Sequence, residues 1–318
     1  MRVLVTGGTG YLGRAIVARL AARGHEPVVF ARRARQAGLP GDAIDGDICD
    51  AAAVAQAARG CEAIVHTAAL VSIWQPDPAR FDAVNVGGLQ HVLDAARRRG
   101  VRRLVYTSSF LALPPAGHRA PLRANDYQRT KAAALDLARS ARDSGLPLVI
   151  VVPGVVYGPG VRSEGNLVAR LIDDHRAGRL PGLVGGSRLW SFAFIEDVAE
   201  GHVAALERGA VGAEYGLGGE NAPQRRLFEW LRDVEGRRLP RELPPVVARA
   251  AGLVEEWRAR LTGRRPLVTR GAVAIFQHDW PVDSARAIAD LGYRVTPLAE
   301  GLAATLAALG AAAGGPQP

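Results

Sequence analysis

Lysine is nearly missing from this chain: of its 40 basic residues all but one, Lys131, are arginine. Cysteine is scarce too, with Cys49 and Cys61 alone among 318 residues, at a spacing that fits neither a CxxC pair nor a zinc ribbon. A disulfide scaffold is excluded, and a reducing compartment is expected. No histidines or carboxylates are paired at ligand spacing, so no metal is expected. The most apolar late stretch, residues 301–315, is broken by Gly310 and falls short of the roughly 20 residues that a membrane helix needs. It reads as a packed terminal helix, and the final AAAGGPQP as a frayed tail. The opening MRVLVTGG is already a strand, so no secretory signal and a cytoplasmic location are expected.

Against those 40 basic residues stand 31 acidic ones, for a formal charge of +9. Such an excess invites a nucleic-acid reading. Here it is arginine spread along a chain rich in Ala and Gly, which points to a chain-wide coding bias. Clusters such as Arg97–Arg99 and Arg264–Arg265 fall at predicted helix ends or in turns, where guanidinium groups are solvated and favour helix C-termini. No nucleic-acid partner is expected. Hydrophobic residues at 48% rule out wholesale disorder.

In the first half, short Val/Ile/Leu runs alternate with helical stretches: RVLVT, PVVFA, EAIVHTA, RRLVYTSS and PLVIVVPG, with helices over 11–23, 51–59, 81–99 and 127–144 between them. Five continuous apolar strands separated by helices predict an α/β fold, a Rossmann-type doubly wound parallel sheet covered on both faces. After Gly154 the alternation breaks up. The predicted division is a dinucleotide-binding domain over 1–155 and a smaller C-terminal α/β substrate lobe over 156–318, with strands near 189–195 and 214–218 as candidates for returning to the main sheet.

The first strand runs into Gly7, Gly10 and Gly13, with Thr9, Tyr11 and Leu12 between them, and then at once into a helix. Gly7 permits the tight turn, Gly10 lets backbone amides approach a pyrophosphate, and Gly13 lets the helix pack on the strand. The second strand ends at Arg32, where NAD sites usually place an acid; an arginine there can receive a 2′-phosphate, which leans toward NADP(H) over NAD(H). Asp47, followed by Ile48, can accept from an adenine amino group or serve as a helix N-terminal carboxylate. Thr67, Ala68 and Ala69, at the end of the third apolar run, are small enough for a cofactor to pass, and His66 before them reads as a packed histidine.

Tyr127 and Lys131 stand at i and i+4 on one helix, eighteen residues after Ser109. A phenol with a pKa near 10 is a poor base at neutral pH, and an ammonium on the same face favours its phenolate. A serine hydroxyl would hold the substrate oxygen while Tyr127 exchanges its proton. With 40 basic positions in the chain, chance would put the single lysine at this one about one time in 40. The exception implies a site that needs a compact ammonium.

These motifs resemble the extended short-chain dehydrogenase/reductases, also called the NAD-dependent epimerase/dehydratase family: T-G-x-x-G-x-x-G at residues 6–13, Asp47-Ile48, H-x-A-A at 66–69, Asn85 in VNVGG, YTSS with Ser109, Tyr127 with Lys131, and the glycine-rich run 153–160. The resemblance assigns Ser109, Tyr127, Lys131 and Asn85 to catalysis and adds Thr107, Pro153 and Val155 to the cofactor site. The second half is similar to dihydroflavonol 4-reductase-like members, farnesol dehydrogenases among them, which implies an apolar alcohol or carbonyl substrate and a homodimer through the long helices on the sheet. Candidate substrate contacts are Trp74, Phe110, Leu111, Trp190 and Phe192, the last two with interlobe packing as the competing role. His278-Asp279 reads as a structural corner. Three functions stay open: an NAD(P)-dependent dehydrogenase or reductase, a sugar-nucleotide epimerase or dehydratase with tightly held NAD, and a non-catalytic dinucleotide sensor.

Overall fold

The computed structural model describes residues 1–161 and 163–314. Strand β1 (Arg2–Thr6) is followed by α1 (Tyr11–Ala22), β2 (Glu26–Ala31), β3 (Asp42–Asp45), α2 (Ala51–Ala57) and β4 (Ala63–His66). A short α3 (Ala79–Asp82) runs through a π turn at Ala83–Gly87 into α4 (Gly88–Arg99), and then come β5 (Arg103–Thr107), α5 (Asp126–Asp143) and β6 (Leu148–Pro153). These strands pair in parallel in the order β3-β2-β1-β4-β5-β6.

Their apolar side chains alternate between two faces. Leu4, Ile64, Leu104 and Ile150 enter one cluster with residues of α2, α4 and α5, whereas Val3, Val65, Val105 and Val149 enter another with residues of α1. Each such side chain contributes about 1.5 to 3 kcal/mol on burial, so both faces need a helical cover.

The later chain supplies part of that cover. It forms β7 (Val155–Tyr157), α6 (Leu167–Arg176), β8 (Leu189–Phe194), α7 (Ile195–Arg208), β9 (Glu214–Leu217) and β10 (Glu220–Pro223). Strand β9 joins the main sheet as its seventh strand beside β6, and α7 buries Val198, Val203 and Leu206 in the cluster that holds Val3 and Val65. The candidate strand near 189–195 does not return to that sheet: β8 lies between β7 and β10 in a separate three-stranded sheet. Gly154 turns the chain from one sheet to the other, and a Cβ there would collide with Ser191.

Helices α8 (Arg226–Glu235), α9 (Pro245–Thr262), α10 (Arg270–Phe276), α11 (Ala285–Leu291) and α12 (Leu298–Gly314) complete the chain. The outer lobe has its own core, with Trp190, Phe192, Phe228 and Leu302. The Ala-rich terminal stretch is helical to Gly314, and the last four residues of the expected tail lie outside the described residues. Among the described residues no helix is long and apolar enough to cross a membrane. Because β3 and β4 add to opposite sides of β1 and β2, the chain reverses direction across the sheet beside β1 and opens a crevice at the C-terminal ends of β1 and β4.

Candidate active site

The crevice is lined by backbone. Gly7 turns at φ +72°, and a Cβ on it would lie 2.7 Å from the Ala68 backbone, so the glycine loop and the segment Thr67–Ala69 meet without side chains between them. Thr67 fastens that segment by donating its hydroxyl to the Thr6 carbonyl at 2.8 Å. Gly13 packs against the Gly7 carbonyl with no room for a Cβ. Helix α1 begins at Gly10 with no side-chain cap and no acid in its first turn. Its first amides therefore keep their positive end for an anion. Tyr11 offers only its backbone there, because its phenol is buried and donates to the Gly158 carbonyl at 3.0 Å. A cradle that side chains would fill, closed by an uncapped helix, fits a dinucleotide pyrophosphate.

At the end of β2, Arg32 is exposed and makes no hydrogen bond or ion pair among the described residues. Its charge, with that of Arg80, helps hold the Asp47 carboxyl below its ordinary range, after the larger effect of the Cys49 amide that donates to Asp47 at 2.9 Å. Ile48 is buried against Gly88 of α4.

Across the crevice, register sets Thr6, His66 and Tyr106 in one row on neighbouring strands. Thr6 and His66 share a 2.6 Å hydrogen bond, and the His66 ring stacks on Tyr106 at 5.8 Å. Burial, and next the charge of Lys131, push the imidazole down to about 3, so it is neutral. Lys131 reaches over this row: its ammonium donates to the Thr107 carbonyl at 2.8 Å and sits 5.1 Å above the Tyr106 ring. The Thr107 hydroxyl is paired with buried His202 at 3.0 Å. Tyr106 and His202 are not singled out by the sequence; the strand register of the YTSS segment is the signal that could have found Tyr106.

Helix α5 starts where Asn125 accepts the Gln128 amide at 2.8 Å, a cap worth about 1 kcal/mol. This fixes Tyr127 in the first turn, facing Ser109, which lies two residues past β5 and accepts the Leu111 amide at 3.2 Å. Tyr127 keeps partial exposure. Burial raises its pKa and the Ser109 hydroxyl opposes the rise. The expected depression by Lys131 is not what this chain shows: burial dominates, leaving the phenol protonated at neutral pH and bringing the lysine down to about 7. The physical reason is that Lys131 is itself desolvated, bound to a neutral carbonyl and with no ion pair among the described residues.

Asn85 lies in the π turn. Its amide donates to Thr130 at 3.0 Å, and its carbonyl accepts the Leu70 amide at 2.7 Å. It ties the Thr67–Leu70 segment to the residue before Lys131, so its visible role is positioning.

Among the candidate substrate residues, Trp74, Phe110 and Leu111 are half-buried, and Phe110 meets Trp280 edge-on at 5.7 Å. Trp190 and Phe192 are 3% and 2% exposed within the outer-lobe core, Trp190 stacked on Phe276 at 4.8 Å; packing is their visible role. Pro153 and Val155 are buried at the junction of the two sheets. The His278 Nδ1 lies 2.8 Å from the Ala274 carbonyl of α10, which accepts its hydrogen bond, and Asp279 accepts the Leu189 amide at 2.8 Å, as a structural corner should.

The sequence profile of the NAD dependent epimerase/dehydratase family matches residues 3–218. The chain belongs to this family. Within it, the chain is 33% identical over 308 residues to sterol demethylase protein B of Methylococcus capsulatus, covering 92% of this chain and 93% of that protein. It is 32% identical over 323 residues to the 2-alkyl-3-oxoalkanoate reductase of Stenotrophomonas maltophilia, covering 92% and 94%. The solved structure of the Thermus thermophilus UDP-glucose 4-epimerase in complex with NAD superposes with a TM-score of 0.75 at 26% identity, covering 98% of this chain and 100% of that one. This epimerase/dehydratase member is an extended short-chain oxidoreductase of the NAD-dependent type, with relatives named as reductases.

Proposed function

We propose that the protein transfers hydride between NAD(P) and an apolar alcohol or ketone, with Tyr127 exchanging the proton, Lys131 as its charged neighbour and Ser109 holding the substrate oxygen. Lys131 is the observation that carries this reading. The only lysine of the chain is buried on the Thr107 carbonyl, one helical turn after Tyr127 and over the Tyr106 ring. A planar guanidinium does not substitute for an ammonium in such a space.

The amides of Gly7–Gly13 would hold the pyrophosphate, Asp47 the adenine side, and Arg32 a 2′-phosphate, so NADP(H) is the favoured form. Bound NAD(P) supplies or accepts the hydride. In the direction of reduction, the protonated Tyr127 phenol gives its proton to the substrate oxygen while Ser109 donates a hydrogen bond to the same oxygen. The Lys131 ammonium then stabilises the phenolate left behind. In oxidation the phenolate takes that proton back. Trp74, Leu111 and Phe110, the last packed edge-on against Trp280, suit an apolar substrate, in keeping with the sterol and the alkyl-oxoalkanoate in the names of the two relatives.

Turnover of cyclic and long-chain ketones with NADPH and NADH tests the assignment. Tyr127→Phe should lower kcat by about 10²- to 10⁴-fold; near-normal turnover by this variant would overturn it. In a fluorescence titration, Arg32→Asp should weaken NADPH by about 10- to 100-fold and leave NADH unchanged. A wild-type preference for NADH removes Arg32 from the cofactor site. Cofactor that cannot be stripped, with thermal stabilisation by a UDP- or GDP-sugar, would move the reading to an epimerase.

A further inference from the structure

Helix α9 has its polarity reversed for a helix on a protein surface. Its buried positions are Ala248, Gly252 and Ala259. They let the backbone approach α10 so closely that a Cβ at Gly252 would lie 2.9 Å from the Arg270 amide nitrogen. Its outward positions are Val246, Val247, Leu253, Val254, Trp257 and Leu261, at 77, 54, 52, 63, 64 and 66% exposure, and Leu267 just beyond the helix is 85% exposed. At 100° per residue the six helical side chains fall within one arc of about 120°, opposite the small buried residues.

Arginines border this arc, Arg249 and Arg260 along one edge and Arg258 along the other, with Arg264 past the C-terminus. The acids of the helix are already engaged: Glu255 with Arg258 at 2.7 Å and Glu256 with Arg270 at 2.9 Å. Arg249 meets the neutral Gln277, and Arg260 and Arg264 form no ion pair among the described residues. An apolar arc with a tryptophan near its middle and a positive rim is what lets a helix lie in the headgroup region of a bilayer.

We propose that α9 docks the protein onto an anionic lipid surface. Charge selects lipid over a second copy of the chain. In a two-fold contact the same patch faces itself, so the arginine rim would meet its own image with no free acid to receive it. The location also suits an apolar substrate: α9 packs on α10, whose Gly271 leaves no room for a Cβ against Ala124 and Asn125, the N-cap of the helix that carries Tyr127.

Sedimentation with vesicles of phosphatidylcholine plus phosphatidylglycerol, against phosphatidylcholine alone, tests this without any turnover, so its outcome is separate from that of the proposed reaction. The wild type should bind the mixed vesicles at low salt and lose binding as salt rises. Leu253→Glu with Trp257→Glu should lower partitioning at least about tenfold, and Arg260→Glu with Arg264→Glu about tenfold or more. Unchanged melting temperature and NADH binding would show that the variants are folded, and the rim variant leaves the apolar arc intact should the first one fail. No binding of the wild type to the mixed vesicles, or binding unchanged in both variants, overturns the proposal. So does a dimer in light scattering that the Leu253/Trp257 variant abolishes without any vesicle binding by the wild type, which would assign the face to a second copy.

Discussion

Helices α5 and α9 are both 18 residues long and depart from ordinary surface amphipathicity in opposite directions. Helix α5 turns Gln128, Thr130 and Lys131 into the interior, where a polar group without a partner costs about 1 to 3 kcal/mol. Most of these groups are met: Thr130 by Asn85 and the Asp126 carbonyl, Lys131 by the Thr107 carbonyl, and the Gln128 oxygen by the Ala124 amide. Helix α9 buries alanine and glycine and leaves leucine, valine and tryptophan in water. Neither choice favours stability by itself. The difference teaches that the same helix length can present a polar face whose groups find partners inside the fold, or an apolar face that finds none among the described residues.

The sharpest way to break the comparison is to take the charge out of α5. Lys131→Met should lower turnover by about 100-fold or more while making the cofactor-free protein more stable near neutral pH. In the folded chain Lys131 titrates at about 7 instead of 10.5. Between those values the unfolded chain binds the proton and the folded chain does not, so this group makes stability rise with pH across that window. Below pH 7 both states are protonated and the full cost of burying the ammonium is present. The advantage of Lys131→Met should therefore be greatest below pH 7 and shrink as pH rises toward 10. Thermal melts that show this variant less stable than wild type at pH 6 contradict the assignment.

A smaller effect is expected at Thr130, which stands between Asn85 and the Asp126 carbonyl. Thr130→Val removes the acceptor for Asn85 and should cost about 1 to 2 kcal/mol, seen as a melting temperature lower by about 2 to 5 °C; an unchanged value would mean that the Asn85 link is not formed in solution. The smallest effect belongs to α9. Trp257→Ser, at a residue 64% exposed, should shift stability by less than about 0.5 kcal/mol. A larger loss in chemical denaturation would mean that this face is covered in the folded protein in solution.

The main sheet is legible in the sequence because each of its central strands is a continuous apolar run, and the glycine loop because its spacing is dictated by backbone contact alone. Strand β3 is not: Asp42–Asp45 is an edge strand with both ends exposed, so it carries no apolar run. The return of β9 beside β6 is one of two candidates that the sequence offers, and the other, β8, pairs elsewhere because Gly154 redirects the chain before it. Tyr127 and Lys131 can be paired from i and i+4 spacing. That spacing could not show how far burial shifts each group, since desolvation depends on what the fold, Tyr106 and Thr107 among it, places around them. Nor could periodicity tell which side of α9 faces in. Val246, Leu253, Trp257 and Leu261 recur as a core stripe would, and only the close packing of Gly252 on α10 reverses the reading.

The way the main sheet is completed has a consequence for synthesis. Six of its strands have been synthesised once residue 153 is added, yet the helix that covers Val3, Val65 and Val105 and the strand that closes the β6 edge come from residues 195–217. At about 5 to 20 residues per second, the nascent chain spends several seconds with one hydrophobic face incomplete and one strand edge unpaired. Chaperone demand should be concentrated in that interval, and a ribosome stall placed between residues 160 and 190 should be far more prone to aggregation than one placed after residue 250.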